Sequence, residues 1–365
     1  MVIAADWIPA ALEALKTTKV LHRNYEFARK QLTGAHHAVM KGDLIVQVGP
    51  SRVGKTRCVK DAFNVHEPNW PSDDQRMPVV IVEASNDSKN GEFSTKAFMA
   101  ACLRAIHHPI YGISDEDDPW EERLQAKIHR TPEGTLRSAF ETAIALRRTE
   151  LIVFDEAHHV RYAPGGDAAA ARILDSYKCL ANRTNIKLVL TGSYQLLDLL
   201  VLAPHLLGRQ IPLEFPRYHA DVRNDVAAWQ QVLRTYSKHL AFDNDESLSD
   251  WGDYLFEGSQ GCVGQLLSWL KAALTVLLTT NGVVMTRDVL ERTRKPAAQE
   301  ASILAEIVKG ELQLVRVKRA SAQCETHTED GGARKASNEK EIKRKEQARK
   351  PFQRKSRRNP LGGRT

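Results

Sequence analysis

Gly49-Pro50-Ser51-Arg52-Val53-Gly54-Lys55-Thr56 sets two glycines around a short polar turn and follows the second at once with a lysine and a hydroxyl. This spacing suits the capture of a polyphosphate. Gly49 and Gly54 allow backbone angles that turn successive N–H groups toward one anion. Lys55 then meets the β- and γ-phosphates, and the Thr56 hydroxyl can hold Mg²⁺. One hundred positions after Lys55, the apolar run Leu151-Ile152-Val153-Phe154 ends in Asp155-Glu156. Asp155 there would hold Mg²⁺, directly or through water, and Glu156 would polarise an attacking water. A third run, Ile186 to Leu190, ends in Thr191-Gly192-Ser193, polar groups suited to sensing a γ-phosphate or a water. The expected ligands are a nucleotide's polyphosphate and Mg²⁺.

These residues need a frame that brings strand ends together. Leu44 to Val48 predicts a strand before the phosphate loop, and Arg57 to Phe63 a helix after it whose positive end points at the same anions. Further strands are predicted at Pro78 to Ala84, Leu151 to Phe154, Ile186 to Leu190 and Ile211 to Phe215. Between them fall helical patterns. One is capped by Ser94 or Thr95 and carries Phe98, Met99, Cys102, Leu103 and Ile106; others run from Thr131-Pro132-Glu133 through Arg148, from Ala168 to Asn182 and from Tyr194 to about Leu207. Residues 17–40 read as helix feeding the first strand, with His22, Arg23 and Tyr25 able to approach a nucleotide base or to pack. Pro109 to Glu122, with six acidic residues, reads as a surface excursion.

Alternation of strands and helices over residues 17–218 predicts an α/β fold with a doubly wound parallel sheet, whose carboxyl ends collect ligands. Beyond it helices dominate: Val222 to Phe242, Leu248 to Gly258, Val263 to Thr279, Thr286 to Arg294 and Ala297 to Val317, with a possible short strand at Val283-Val284. The resulting division is an N-terminal helical segment (1–40), a nucleotide-binding core (41–218), a small helical lid (219–315) and a tail (316–365).

Composition sets bounds on this reading. The chain has 365 residues, 42% of them apolar, enough for a proper core. Five scattered cysteines form no C-x-x-C pair, as expected for reduced thiols in a cytoplasm. Ala157-His158-His159 is assigned no metal, because adjacent residues on a helix or turn are expected to face apart. Met1 to Lys16 carries Asp6 and Glu13 and no basic leader. The most apolar stretches, Leu196 to Leu207 and Leu266 to Leu278, are broken by Asp198 and Lys271, so no membrane span is expected. Of the net charge of +7, Arg316 to Arg364 contributes sixteen Lys/Arg against six Asp/Glu. A basic, apolar-poor tail on a mildly acidic body predicts disorder there and a polyanionic partner, nucleic acid first.

The phosphate loop, the Asp-Glu strand end, the Thr/Ser strand end, a late arginine and a helical lid together resemble the AAA+ ATPases over about residues 17–295. Leu190-Thr191-Gly192-Ser193-Tyr194-Gln195-Leu196-Leu197, Gly208 through Tyr218 and Gln260-Gly261-Cys262-Val263-Gly264-Gln265-Leu266 are similar to segments of the TnsC/TniB family of transposition ATPases. The resemblance implies an ATP-dependent regulator that oligomerises, as a ring or filament, on duplex DNA. It would respond to a target-selection protein and recruit a transposase. It also implies that Gly49 through Arg57 hold the nucleotide, that Arg209 reaches a neighbour's γ-phosphate and that Thr191 or Ser193 is the first sensor. Lys89, Thr95, Lys96 and Arg104 become the candidate DNA contacts, by backbone phosphates rather than bases. One departure stands out: Gln265 occupies the place where many such lids carry a second sensing arginine. A replication initiator or helicase loader shares this chassis, and a signalling NTPase that binds protein is a third reading.

Overall fold

The apolar runs become five strands: β1 Leu44–Val48, β2 Val79–Glu83, β3 Leu151–Asp155, β4 Lys187–Gly192 and β5 Gln210–Glu214. All pair in parallel in the order β2-β3-β4-β1-β5, the sheet that the alternating pattern predicts. β1 and β3 are buried at every position, and β4 at all but its first; β2 and β5, at the edges, alternate or stay partly open. That contrast follows from covering a parallel sheet on both faces. The computed structural model describes residues 7–18, 20–65, 71–72, 74–86, 90–112, 120–203, 210–243 and 246–329.

In chain order the helices are α1 Trp7–Thr17, α2 Arg23–Ala38, α3 Lys55–Ala62, α4 Thr95–Ala105, α5 Trp120–Arg130, α6 Glu133–Leu146, α7 Gly166–Thr184, α8 Gln195–Val201, α9 Arg223–Ser237, α10 Gly252–Ser259, α11 Val263–Thr280, α12 Arg287–Thr293 and α13 Ala297–Glu329. Successive strand residues feed opposite faces of the sheet. Ile45, Val153, Val189 and Leu213 pack with Leu32 and Ala35 of α2 and Val59 of α3. Val46, Val82, Phe154 and Leu190 pack with α4, α6, α7 and α8 through Leu103, Phe140, Leu174 and Leu197. A third core joins α9 to α12 through Trp229, Leu233, Leu270 and Leu290. Residues Met1–Val317 group as one unit and Lys318–Thr365 as another.

Several elements depart from the sequence pattern. α1 leaves α2 and joins the C-terminal helices: Ile8, Ala11 and Leu15 are buried in their core, and Trp7 Nε1 donates to the Val283 carbonyl at 2.8 Å. α5 occupies part of what reads as an acidic excursion. Leu124 and Ile128, one helical turn apart, were its signal, and both lie against the core. The helix after β4 ends at Val201; 204–209 lie outside the described residues. The pair Val283-Val284 forms no strand, and Phe242 and Met285 make an isolated bridge beside it. α13 runs on past Val317 to Glu329; no proline or glycine falls between Val317 and Gly331. The remainder of the basic tail, 330–365, lies outside the described residues. Among the described residues one helix, α11, is long and apolar enough to cross a membrane; its Leu266, Leu270, Leu274 and Leu277 are buried in the third core.

Candidate nucleotide site

Two close approaches shape the phosphate loop. A Cβ on Gly49 would stand 2.5 Å from the carbonyl oxygen of Phe215, the residue that follows β5, so there is no room for a side chain there. Gly54 takes φ +109°, in the left-handed region where glycine costs least, and α3 begins at the next residue. Lys55 and Thr56 are therefore the first two residues of α3. Lys55 is 5% exposed, and its Nζ donates to the carbonyls of Gly49 at 3.2 Å and Pro50 at 2.8 Å. Burial pushes its pKa down, while the Glu156 and Asp155 charges pull the other way. A largely dry cation held by its own loop is matched to an anionic ligand. Val53 packs against Phe215, whereas Ser51, Arg52 and Arg57 are exposed.

β3 delivers Asp155 as its last, buried residue. Its Oδ1 accepts from Thr191 Oγ1 on β4 and from the Glu156 N–H at 2.9 Å. Thr191 is thus spent on the carboxylate, whereas Ser193 Oγ is buried with no partner among the described residues. Glu156 takes a left-handed conformation, φ 50°, which turns the chain into the 3-10 helix Ala157–Tyr162. Burial raises the Glu156 pKa, and the Lys55 charge opposes that rise.

The tight turn also overturns the expectation for His158 and His159. Their rings stack at 4.6 Å, and ligand atoms of Glu156, His158 and His159 all lie within 4.8 Å of one another. The left-handed Glu156 leads into a 3-10 turn, in which residues three apart, such as Glu156 and His159, lie over one another. Burial holds the His158 imidazole down at about 4, neutral near pH 7. Its Nδ1 lies 3.1 Å from Glu156 Oε2 and 3.4 Å from the Ser193 N–H. A neutral ring nitrogen can donate to the carboxylate or accept from the amide, not both. For Mg²⁺ the oxygens of Thr56 and Asp155 are the better-matched donors, since this ion prefers hard oxygen ligands.

The phosphate loop opens onto a cleft of about 470 Å³ lined by Gly49 to Arg52, Ser193, Tyr194 and, from the C-terminal helices, Gln265, Ser268, Lys295 and Glu306. Contact there is intimate: a Cβ on Gly264 would lie 1.9 Å from the Arg52 carbonyl oxygen. Arg52, itself left-handed at φ 59°, donates to Ser268 Oγ at 2.7 Å. Lys295 donates to Gln265 Oε1. Sequence reasoning missed Lys295 and Ser268. They lie far along the chain from every motif, and only the packing of α11 on the loop brings them in.

Other candidates fare differently. His22 and Tyr25 are buried; His22 Nδ1 sits 2.9 Å from Tyr218 Oη, and Tyr25 Oη donates to Asp61. Arg23 pairs with the buried Asp225. These are packing and joining roles. Arg209 and Lys89 lie outside the described residues. Thr95 Oγ1 donates to Glu133 Oε2 at 2.8 Å, and Lys96 Nζ to the His129 carbonyl at 2.6 Å. Lys96 and Arg104 line a groove between α4 and α5, where Lys127, His129 and Arg130 are exposed.

No curated protein matches this chain. Among solved structures, similarity extends to a Walker-type ATPase of Pyrococcus abyssi, at 17% identity over 82% of this chain and 76% of that one, with a TM-score of 0.43. The ORC2 protein of Aeropyrum pernix, seen with ADPNP and ADP, shares 14% identity over 74% and 66%, with a TM-score of 0.47. Cdc6p from Pyrobaculum aerophilum shares 12% over 77% and 69%, with a TM-score of 0.48. Residues 39–200 match the family model of an AAA domain, and the five-stranded parallel sheet with its phosphate loop is the AAA+ P-loop α/β fold.

Proposed function

We propose that this chain binds ATP with Mg²⁺ at Gly49 to Arg57, hydrolyses it, and in its ATP-bound form oligomerises on duplex DNA as a regulator of transposition. The observation that carries the catalytic part is the meeting of Lys55, Asp155, Glu156 and Ser193 at the carboxyl ends of β1, β3 and β4, with Asp155 fixed by Thr191. In this reading the loop N–H groups and Lys55 bind the phosphates, and Thr56 and Asp155 hold the metal. Glu156 polarises the attacking water, Ser193 rather than Thr191 senses the terminal phosphate, and Arg209 of a neighbouring copy completes the site. The metal's chemistry is charge neutralisation on the outer phosphates.

DNA binding is supported by the basic groove between α4 and α5 and by the charge of the tail. Positive charge spread along adjacent helices suits backbone phosphates, which position a protein without specifying sequence. Recruitment of a transposase under a target-selection protein rests on the segments that resemble the TnsC/TniB family. A replication initiator would add a winged helix after the core; α9 to α12 are helices, with no strand among the described residues of 219–295. The test is duplex binding across a salt series with and without an ATP analogue. Wild type should bind with ATP, and weaken steeply as salt rises. Lys55→Ala should bind neither ATP nor, in its ATP-dependent part, DNA. Normal nucleotide affinity in Lys55→Ala would refute the site, and ATP-independent DNA binding alone would refute the gating.

A further inference from the structure

Glu156, His158 and His159 bring three metal-binding side chains to one turn, and the hydrolysis reading uses only the first. One ligand atom of each lies within 4.8 Å of the other two. The two rings stack 28° from parallel, and His158 is held against β4, where a Cβ on Gly192 would stand 3.2 Å from its Nδ1. That nitrogen lies 3.1 Å from Glu156 Oε2. His159 Nδ1 is buried with no partner among the described residues. A buried ring nitrogen left alone needs a hydrogen-bond partner or an ion. Burial keeps His158 neutral near pH 7, so no proton has to leave that ring before a metal binds. Burial also raises the Glu156 pKa; the Lys55 charge opposes the rise, and the Asp155 and Glu83 charges add to it. Glu156 and those two carboxylates outnumber the one ammonium, so the local charge favours an added cation. Two imidazoles and a carboxylate are the donor set of borderline ions such as Zn²⁺, whereas Mg²⁺ prefers oxygens throughout. Tetrahedral ligands about 2.0–2.2 Å from such an ion stand roughly 3.3 Å apart. The widest gap must therefore close by about 1.5 Å, a movement within reach of side-chain torsions, since all three residues are partly exposed.

We infer that Glu156, His158 and His159 form a site for a borderline divalent transition-metal ion such as Zn²⁺, distinct from the Mg²⁺ site, and that the ion stops hydrolysis by taking the Glu156 carboxylate. The metal site stands on its own geometry; its effect on turnover rests on the nucleotide reading of the phosphate loop. An ion bound there occupies the lone pairs with which Glu156 would polarise the attacking water. The loop amides, Lys55 and Thr56 remain free to hold the phosphates. Zn²⁺ therefore inhibits without displacing the nucleotide, and the histidine pair is what gives it a foothold.

The experiment titrates Zn²⁺ into the full chain by calorimetry, without nucleotide and with Mg²⁺ in excess, for wild type, His158→Ala, His159→Ala, His159→Gln and His159→Cys. The chain carries 13 histidines and five cysteines, so the site is read as a difference between proteins. Wild type should take up one equivalent that the alanine and glutamine variants lose or hold more weakly by at least the roughly 10- to 100-fold that loss of a mere supporting partner costs. His159→Cys exchanges one Zn²⁺ ligand for another and should recover the uptake. A melt without metal reports which variants are folded; if the alanine variants are not, His159→Gln against His159→Cys carries the decision. Equal uptake by wild type and the folded variants, or no recovery in His159→Cys, overturns the metal site and leaves the histidines a packing role. A second arm follows phosphate release and the binding of a fluorescent ATP analogue as that equivalent fills. Release should slow in wild type by roughly 10² to 10⁴ with analogue affinity unchanged, and should ignore Zn²⁺ in His159→Ala. Full-rate release with the site filled, or loss of the analogue, overturns the inhibition. Wild type that binds no analogue even without Zn²⁺ refutes the nucleotide reading and the inhibition with it, while the difference in Zn²⁺ uptake still decides the site.

Discussion

Acid should loosen the joint between α2 and the C-terminal helices through one histidine. His22 is 8% exposed and caps α2: its Nδ1 accepts the Tyr25 N–H at 3.4 Å and lies 2.9 Å from Tyr218 Oη, a hydroxyl that can donate to it. A proton on Nδ1 would turn the acceptor of both bonds into a donor. Burial holds the imidazole at about 4, against an ordinary value of 6.5. The unfolded chain therefore takes up the proton first as pH falls. The stabilisation is complete above pH 6.5, shrinks as pH drops from 6.5 toward 4, and is fully lost below. At about 1.4 kcal/mol per pH unit the whole gap is worth about 3 to 4 kcal/mol, of which roughly 1 kcal/mol disappears between pH 7.5 and pH 5.5. His158, His36 and His108 are also held low, so the share of His22 must be read as a difference. His22→Asn keeps a capping oxygen near the position of Nδ1 and cannot titrate. Urea unfolding of both proteins at pH 7.5 and 5.5 should show wild type losing roughly 1 kcal/mol more than the variant. Equal losses would refute the reasoning, whatever the absolute stability of His22→Asn.

Further expectations concern the site. Glu156→Gln should retain ATP binding and slow steady-state phosphate release by roughly 10² to 10⁴, trapping the ATP-bound assembly; a wild-type rate would remove Glu156 from the chemistry. Gly264→Ala forces a methyl group onto the Arg52 carbonyl, an overpacking that should cost about 1–3 kcal/mol and weaken nucleotide binding along with it. Unchanged melting and unchanged affinity would show that α11 does not bear on the loop. If Arg209 acts in trans, turnover should rise with protein concentration, and mixing Arg209→Ala with Lys55→Ala should restore some activity. Hydrolysis by a monomer at full rate would contradict that.

Local chemistry was what the sequence displayed. Central strands buried on both faces appear as unbroken apolar runs, so β1, β3 and β4 could be read directly, and with them Asp155 and Thr191 at or beside strand ends and Lys55 at the start of the helix after β1. α5 was hidden because acidic residues just before it dominate that stretch, although Leu124 and Ile128 keep helical spacing. The histidine pair escaped for a different reason: adjacent residues on a helix or turn were expected to face apart, whereas here the left-handed Glu156 starts a 3-10 turn, and no residue type there demands that conformation. Lys295 and α1 were invisible in principle. Their places depend on which helix face packs against which, over separations of hundreds of residues, and no local pattern encodes such pairings.

The contact between Gly264 and the Arg52 carbonyl makes α11 and the phosphate loop one mechanical part. A helix separated from a loop by side chains can rock, since rotamers yield; here backbone bears on backbone, with no soft layer between. Any swing of the C-terminal helices must therefore either lift clean off the loop or drag it, and α1, whose Leu15 is buried among them, travels with the same body. Position 264 acts as a thrust bearing: its missing side chain lets the two surfaces meet, so that a shift of the loop is expected to press on α11, which begins more than two hundred residues later.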